Sequence, residues 1–502
     1  MAAALPLSMF LMSISTILLI LNWLAWGNPL RRVKQFLGNP SAWVFFLLFL
    51  FHIIGGLYST DMEFYWEDLR MKVPLAAYPL VLGSTPALSQ KQWAITWKIF
   101  LSALVGSTLV SLSIHLGIYQ VDVESFRDLS PFISHVRLSL LICVGISFLF
   151  LQFLKPSEKL LSKLFHLILI SWFVYVLNLL ESLTGFLILG VLSLITIGWL
   201  IFRVRHWLIR YCLFALLIVL PIGLVGNFIA QYFSSKEVWT SPNLEQNTPS
   251  GHPYIHDDHI RDTENGHYIF QYICWPELHN EWAKRSALSL DSLQASGYKV
   301  GAGLIRYMAS KNLRKDSAGL WRLTDEDIKA IERGETNYKY QSGTIRHRIY
   351  NSLREFDGYL NGHVNGSSLA QHIEYQRTGW RIFTQQPWFG VGTGDLKIAF
   401  DRQYEIDRSS LEPEFRLRAH NQYLSILIAF GIVGGLLFLF TIFFPVFWSK
   451  QYNNPYLLAF LLIALISFFS EDTLESQAGV SFFIFFYGLF VWACPKEDHY
   501  RY

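Results

Sequence analysis

Glu181-Ser-Leu-Thr-Gly-Phe-Leu-Ile-Leu-Gly190-Val-Leu-Ser-Leu-Ile-Thr-Ile-Gly-Trp-Leu200-Ile-Phe-Arg-Val-Arg205 is the stretch that decides the fold class of this 502-residue chain. From Leu183 to Phe202 it holds no charged residue. A helix rising 1.5 Å per residue needs about 20 such residues to cross the roughly 30 Å of hydrocarbon in a bilayer. The stretch opens on the acidic turn Glu181 to Gly185 and closes on Arg203 and Arg205, and basic residues gather at the cytoplasmic end of a span. Further apolar runs lie on either side, at 5–26, 42–58, 72–86, 92–118, 132–154, 160–180, 207–231, 420–447, 455–470 and 476–494. Together they predict an all-α polytopic membrane protein with about eleven transmembrane helices. The run 72–86 is short and holds Pro74 and Pro79, so it is expected to be broken or partly re-entrant.

Composition agrees with this class. Hydrophobic residues make up 52% of the chain and charged residues 16%, against about a quarter charged in a soluble protein, which puts most of the chain in lipid. The formal net charge of +3, dispersed along the chain, argues against a nucleic-acid partner. Cys143, Cys212 and Cys494 lie in apolar runs and Cys274 stands alone in a polar stretch, so neither a disulfide framework nor a cysteine metal site is expected. The basic connectors Arg31, Arg32 and Lys34; Lys91; Lys155 and Lys159; Arg203, Arg205 and Arg210; Lys450; and Lys496 alternate along the chain, as one cytoplasmic face requires. The N-terminus is then outside and the C-terminus inside. The first run lacks a basic n-region and is followed by basic residues, so it is expected to persist as a helix rather than be removed as a signal.

This orientation puts the acidic connector Asp61 to Asp68, the segment Asp122 to Ser134 and the long stretch 232–419 on the outer face. The chain divides accordingly into an N-terminal transmembrane bundle, 1–231, a large external loop domain, 232–419, and C-terminal transmembrane helices with a short cytoplasmic tail, 420–502. The loop is too long for a passive connection and carries helix signals of its own, such as Thr324 capping Asp325-Glu-Asp-Ile-Lys-Ala-Ile-Glu-Arg333 before Gly334. It is expected to be mainly helical and folded onto the membrane. Within it, Leu369, Ile373, Trp380 and Phe383 share one helical arc flanked by His372 and Arg377, which predicts a helix lying flat at the interface and stopped by Pro387. The glycines of Trp388-Phe-Gly-Val-Gly392-Thr-Gly-Asp395 permit a tight turn or a close approach of backbone to a ligand, but their spacing is no dinucleotide fingerprint. His252, His256, Asp257, Asp258, His259 and Asp262 are metal-ligand types without a regular zinc spacing, so no metal site is expected there.

Where the loop re-enters lipid, Ala419-His-Asn-Gln-Tyr-Leu424 puts the imidazole of His420, with Asn421 beside it, at the outer membrane boundary. A proton-transferring group there suits a substrate whose tail lies in lipid and whose head lies in water. With the runs Arg377-Thr-Gly-Trp-Arg-Ile-Phe-Thr-Gln-Gln-Pro-Trp-Phe-Gly-Val-Gly392 and Gly431-Ile-Val-Gly434, this stretch strongly resembles the O-antigen ligase superfamily of bacterial membrane glycosyltransferases. Ser134-His-Val-Arg-Leu-Ser-Leu140, Gly301 to Ser310, Asn365 to His372 and Ser470-Glu-Asp-Thr-Leu-Glu475 look like the branch of that superfamily found in Bacteroidetes. The resemblance implies a membrane glycosyltransferase fold of the C type. It also implies, without a metal or other cofactor, transfer of a glycan from undecaprenyl diphosphate to an acceptor on the periplasmic face of the inner membrane, and a catalytic histidine at His420. One position that is often arginine in the branch is His372 here.

The chemistry can be read from the residues as well. Displacing a diphosphate from an anomeric carbon requires a base for the acceptor hydroxyl and cations for the charge building on the leaving phosphates. A neutral imidazole at His420 serves as the base, the alternative being an interfacial histidine that caps a helix. Arg137, about a turn inside the outer end of the fifth span, runs against the positive-inside trend and is a candidate for the diphosphate through its guanidinium fork, or else snorkels to headgroups. His135 assists it or marks the interface. Arg377, with Arg381 behind it and His372 on the same helix, is the second donor-binding candidate, the alternative being contacts to lipid headgroups. Glu181 and Glu471, at outer boundaries, are secondary candidates for orienting a sugar or acceptor.

Two enzymatic readings follow: ligation of a lipid-linked polysaccharide to an acceptor such as the lipid A core, and polymerisation of lipid-linked repeat units. The His-Asn-Gln-Tyr-Leu and Pro-Trp-Phe-Gly-Val-Gly stretches favour the ligase. A transporter ranks last, because it predicts charged or broken helices near mid-membrane and inverted repeats and has no use for so large an external domain.

Overall fold

The computed structural model describes residues 1–25, 28–119, 126–234, 244–257, 260, 262–294, 299–340, 345–360 and 367–495. In chain order its helices are Met9–Ala25 (α1), Pro29–Leu37 (α2), Pro40–Gly55 (α3), Met62–Gly83 (α4), Gln90–His115 (α5), His135–Phe153 (α6), Leu160–Leu179 (α7), Leu183–Phe202 (α8) and Trp207–Ser234 (α9). There follow Trp275–Trp282 (α10), Val300–Ser310 (α11), Ser317–Trp321 (α12), Asp325–Glu332 (α13), Ile345–Leu360 (α14), Ser368–Gln385 (α15), Leu396–Ile406 (α16), Gln422–Trp448 (α17), Pro455–Ser470 (α18) and Gln477–Val491 (α19). Seven of these, α3, α5 to α9 and α17, are long and apolar enough to cross a membrane, and α18 and α19 are shorter apolar helices. The protein is an all-α polytopic membrane protein. Among the described residues the only named strands are Thr263–Glu264 (β1) and His267–Tyr268 (β2), an antiparallel hairpin whose turn residues Asn265 and Gly266 both have positive φ.

Local signals account for many of the helix ends. Ser89 and Gln92 form a capping box at the start of α5. Thr324 caps α13 as expected and does so in a second box, with Asp327, and Gly334, at φ 93°, follows that helix.

The expected third span is different. The helix α4 is unbroken: it starts at Met62, where the Asp61 carboxylate accepts the Phe64 N–H at 3.0 Å, and runs through Pro74 and Pro79 to Gly83. Its first half looked like a polar connector because it contains Glu63, Glu67, Asp68, Arg70 and Lys72. In the fold Lys72 lies one turn after Asp68 and bonds to it at 2.6 Å, both side chains being buried.

The glycine-rich segment 387–395 approaches another backbone. The helix α17 is interrupted at Gly431, with φ 64° and ψ −163°, a conformation essentially reserved for glycine. The segment bridges that break. Val391 and Gly392 donate to the carbonyls of Ile428 and Ala429, each at 2.9 Å, while Ile432 and Val433 donate back to Pro387 at 2.8 Å and Trp388 at 3.3 Å. Backbone groups freed by an interruption in a membrane helix need such partners. Asp395 then accepts the N–H groups of Thr60 and Asp61, at 2.7 and 2.9 Å, at the start of α4.

By compactness the chain forms two units, one of Met1–Gln120, Leu129–Ser193 and Gly358–Tyr502, the other of Val121–Asp128 and Leu194–Asp357. The boundaries expected at 231 and 419 follow exposure to lipid; compactness cuts at 193 and 357 and keeps α15 and α16 with the membrane helices. The first unit is cored by aromatic rings, with Trp97 stacked on Phe148 at 3.7 Å and Phe460 against Phe482, Phe483 and Phe486. The second has its own core around Leu278, Trp282, Leu304, Met308, Leu320 and Ile331.

Candidate functional site

The helix α15 starts where Ser367 accepts the Ala370 N–H at 3.2 Å, and it buries Tyr375, Thr378, Gly379, Ile382 and Phe383. Gly379 faces α17 closely, since a Cβ there would lie 3.0 Å from side-chain atoms of both Ile428 and Leu424. The buried face therefore differs from the expected arc: Phe383 is buried, but Leu369 and Ile373 are only half-buried and Trp380 is 56% exposed. The helix packs on α17 through its small residues, which turns Trp380 outward.

His420 immediately precedes α17. Its φ is +46°, an uncommon conformation for a residue with a side chain, and it persists because neighbours over-determine it. Its N–H donates to Asp472 Oδ2 at 3.1 Å, and the Asn421 N–H and Ser425 hydroxyl donate to Asp472 Oδ1 at 2.9 and 2.8 Å. The Asn421 side chain caps α17 by accepting the Leu424 N–H at 3.1 Å. The incoming chain is held by Tyr375, whose hydroxyl donates to Phe415 O at 2.7 Å, and Tyr404, whose hydroxyl donates to Leu417 O at 2.7 Å. The imidazole of His420 stacks on that of His372, with ring centres 5.0 Å apart, and lies 5.5 Å from the Tyr375 ring. Two candidates from distant parts of the sequence thus meet.

An open groove of about 600 Å³ lies between α15, α17 and α18 and reaches Asn421, the residue after His420. Arg377 and Arg381, one helical turn apart, supply its cations; Asn421 lines it beside His420; Trp380, Leu424, Leu427 and Phe469 give it apolar walls. Arg377 lies 3.4 Å from Glu374, whose carboxylate raises the guanidinium pKa further and also accepts the Tyr359 hydroxyl at 2.8 Å. Arg381 pairs with Asp407 at 2.6 Å. Both arginines are substantially exposed, so they keep donors for an anionic ligand.

Arg137 is placed otherwise. It is 8% exposed, and its guanidinium donates to the Thr473 hydroxyl at 3.1 Å, Asp472 O at 3.4 Å and the Ser476 hydroxyl at 3.5 Å, with Glu471 at 3.8 Å. It holds the corner 471–476 that joins α18 to α19, the same corner that carries Asp472. His135 opens α6 after its cap Ser134 and is half-buried. Glu181, with φ 45°, turns the chain between α7 and α8, and among the described residues no hydrogen bond or ion pair joins it to the His420 group. Asp472, Glu475 and Gln422 were not expected at the site, nor were Asp68, Lys72 and Arg418. Their one sequence signal is the acidic run Glu471 to Glu475, where only the fold distinguishes the half-buried Glu471 from the buried Asp472 and Glu475.

Elsewhere, His252 pairs with Glu277 at 2.9 Å, and His256 is held by the backbone of Glu245 and Tyr272; Asp258 and His259 lie outside the described residues. A cavity of about 370 Å³ in the second unit is lined by Tyr307, Lys311, Asp327 and Tyr338, and there Lys311 pairs with Asp327 at 2.6 Å.

Among curated proteins no match to the chain is found. Residues 318–439, which include α15, the glycine-rich segment, His420 and the broken first half of α17, match the family model described as O-Antigen ligase. Over that segment the chain is similar to the O-antigen ligase family, and the chain as a whole is a polytopic helical membrane protein.

Proposed function

We propose that this protein transfers a glycan from undecaprenyl diphosphate to a hydroxyl of an acceptor, the lipid A core, on the periplasmic face of the bacterial inner membrane. The observation that carries this reading is the groove beside His420, which pairs two arginines with an apolar wall. A polyprenyl diphosphate has the same two parts, an anionic head and a hydrocarbon tail. In the reaction the His420 imidazole takes the proton of the acceptor hydroxyl as its oxygen bonds to the anomeric carbon, and the bond from that carbon to the phosphate oxygen breaks. Negative charge then builds on the leaving diphosphate next to Arg377 and Arg381, whose guanidinium groups stabilise it without a metal ion. His372, stacked on His420, orients the base, and Arg137 supports it by holding the corner that carries Asp472.

The test is His420→Ala and His420→Gln in purified protein with lipid-linked donor and core acceptor. Loss of a general base lowers turnover per folded enzyme by about a hundred- to ten-thousand-fold. Parental turnover in both variants refutes the assignment. In cells lacking the protein, accumulation of full-length lipid-linked polymer supports the ligase, whereas single lipid-linked repeats would make it a polymerase.

A further inference from the structure

A group of four charges lies in the membrane unit outside the transfer chemistry. Lys72 Nζ sits 2.6 Å from Asp68 Oδ2 and 2.8 Å from Glu475 Oε2, and Arg418, two residues before His420, lies 3.5 Å from that same Glu475 oxygen. Lys72 is 1% exposed, and Asp68 is fully buried. Burying such ions is a poor way to gain stability, because the desolvation of each charge offsets the attraction, and apolar side chains of the same volume are often as good or better. The reason for the group therefore lies in what it holds.

What it holds is the corner 471–476. The second carboxylate oxygen of Glu475 accepts Gln422 Nε2 at 3.1 Å, and Gln422 Oε1 accepts the Leu474 N–H at 2.6 Å. Three residues before Glu475, Asp472 accepts the N–H groups of His420 and Asn421. The corner and the start of α17 are thus joined by two rungs, Asp472 to His420 and Glu475 to Gln422, and Lys72, at 2.8 Å, is the nearer of the two cations on the second rung, Arg418 lying at 3.5 Å. We infer that Lys72 is a positioning residue for glycan transfer: backed by Asp68, it holds Glu475, and through that corner it maintains the left-handed backbone from which His420 projects. The inference rests on the role proposed above for His420.

Lys72→Met alone leaves Asp68 without its cation and Glu475 with only Arg418, so the deciding variant is the near-isosteric Lys72→Met/Asp68→Asn/Glu475→Gln, in which the partly exposed Arg418 is the one charge of the group that remains. Parent and triple variant are compared as full-length protein in lipid nanodiscs by hydrogen exchange and by glycan transfer from a lipid-linked donor. Amides of residues 418–425 should exchange about tenfold faster in the triple variant while those of α6 and α7 are unchanged. Its kcat should fall by about tenfold or more, with the donor KM within about twofold because Arg377 and Arg381 are untouched. Unchanged exchange at 418–425 overturns the inference whether or not the parent transfers glycan. Faster exchange with parental kcat overturns it too, since the corner would then not matter to transfer. A parent with no transfer activity removes the proposed function instead, and the exchange result alone then decides whether Lys72 holds the His420 backbone.

Discussion

Gly431→Ala should destabilise the membrane unit by about 3 kcal/mol or more, through three additive effects. Glycine occupies φ 64°, ψ −163° there, and any other residue held in that region costs about 1–3 kcal/mol. A Cβ would lie 2.2 Å from the carbonyl carbon of Trp388 and 2.3 Å from its oxygen, both of them backbone atoms that no side-chain rotation can remove. Residues 387–389 must then withdraw, which breaks the bonds from Ile432 to Pro387 and from Val433 to Trp388. Each such bond contributes about 0.5–1.5 kcal/mol, and a buried group left unpaired costs about 1–3 kcal/mol. A loss of about 3 kcal/mol changes the folded-to-unfolded ratio by more than a hundredfold. The assay is thermal unfolding of full-length protein in one detergent, followed by intrinsic fluorescence. Gly106→Ala is the control, because a Cβ there meets nothing within 4 Å and alanine is the better helix former. A Gly431→Ala protein that melts at the parental temperature would show that the break in α17 does not depend on glycine and would refute the reasoning.

Arg377→Ala should reduce transfer more than Arg377→Lys, because lysine keeps the charge and loses only the planar fork; equal, parental rates in both would remove Arg377 from the diphosphate site. Lys315, buried with its ammonium donating to Tyr268 O at 2.7 Å and Gln271 O at 3.0 Å, has its pKa lowered by that burial from 10.5 to about 7. Between those values the unfolded chain binds more protons than the folded one, so stability rises with pH, by up to about 1.4 kcal/mol per pH unit. Exchange protection of amides 268–274, corrected for intrinsic rates, should therefore increase from pH 7 to pH 9, and a decrease contradicts the sign. A cysteine introduced at Asn247 should react with an impermeant maleimide without inner-membrane permeabilisation, and labelling only after permeabilisation reverses the proposed orientation.

Where sequence reading succeeded, the signal was local. Uncharged runs such as Leu183 to Phe202 form helices because a bilayer leaves the backbone no other partners, and the Thr324 box acts within one turn. His420 is a candidate by position, since an imidazole at the edge of an apolar run needs no distant residue to be noticed. The start of α4 was hidden for the opposite reason: Lys72 reads as a connector charge until Glu475, 403 residues away, comes within 2.8 Å.

The sequence by itself determined the class of the protein, its apolar helices, and the choice of His420, Arg377 and Arg381 as the groups to watch, because hydrophobic length and helical spacing are properties of contiguous residues. Only the tertiary structure decided which face of α15 is buried, that the glycines of 387–395 serve a broken helix, and that Arg137 holds a corner. It also decided that His372 meets His420 across 5.0 Å. Each of these depends on which distant segment supplies the partner, and burial and charge compensation are settled by that partner rather than by the residues beside it in the chain.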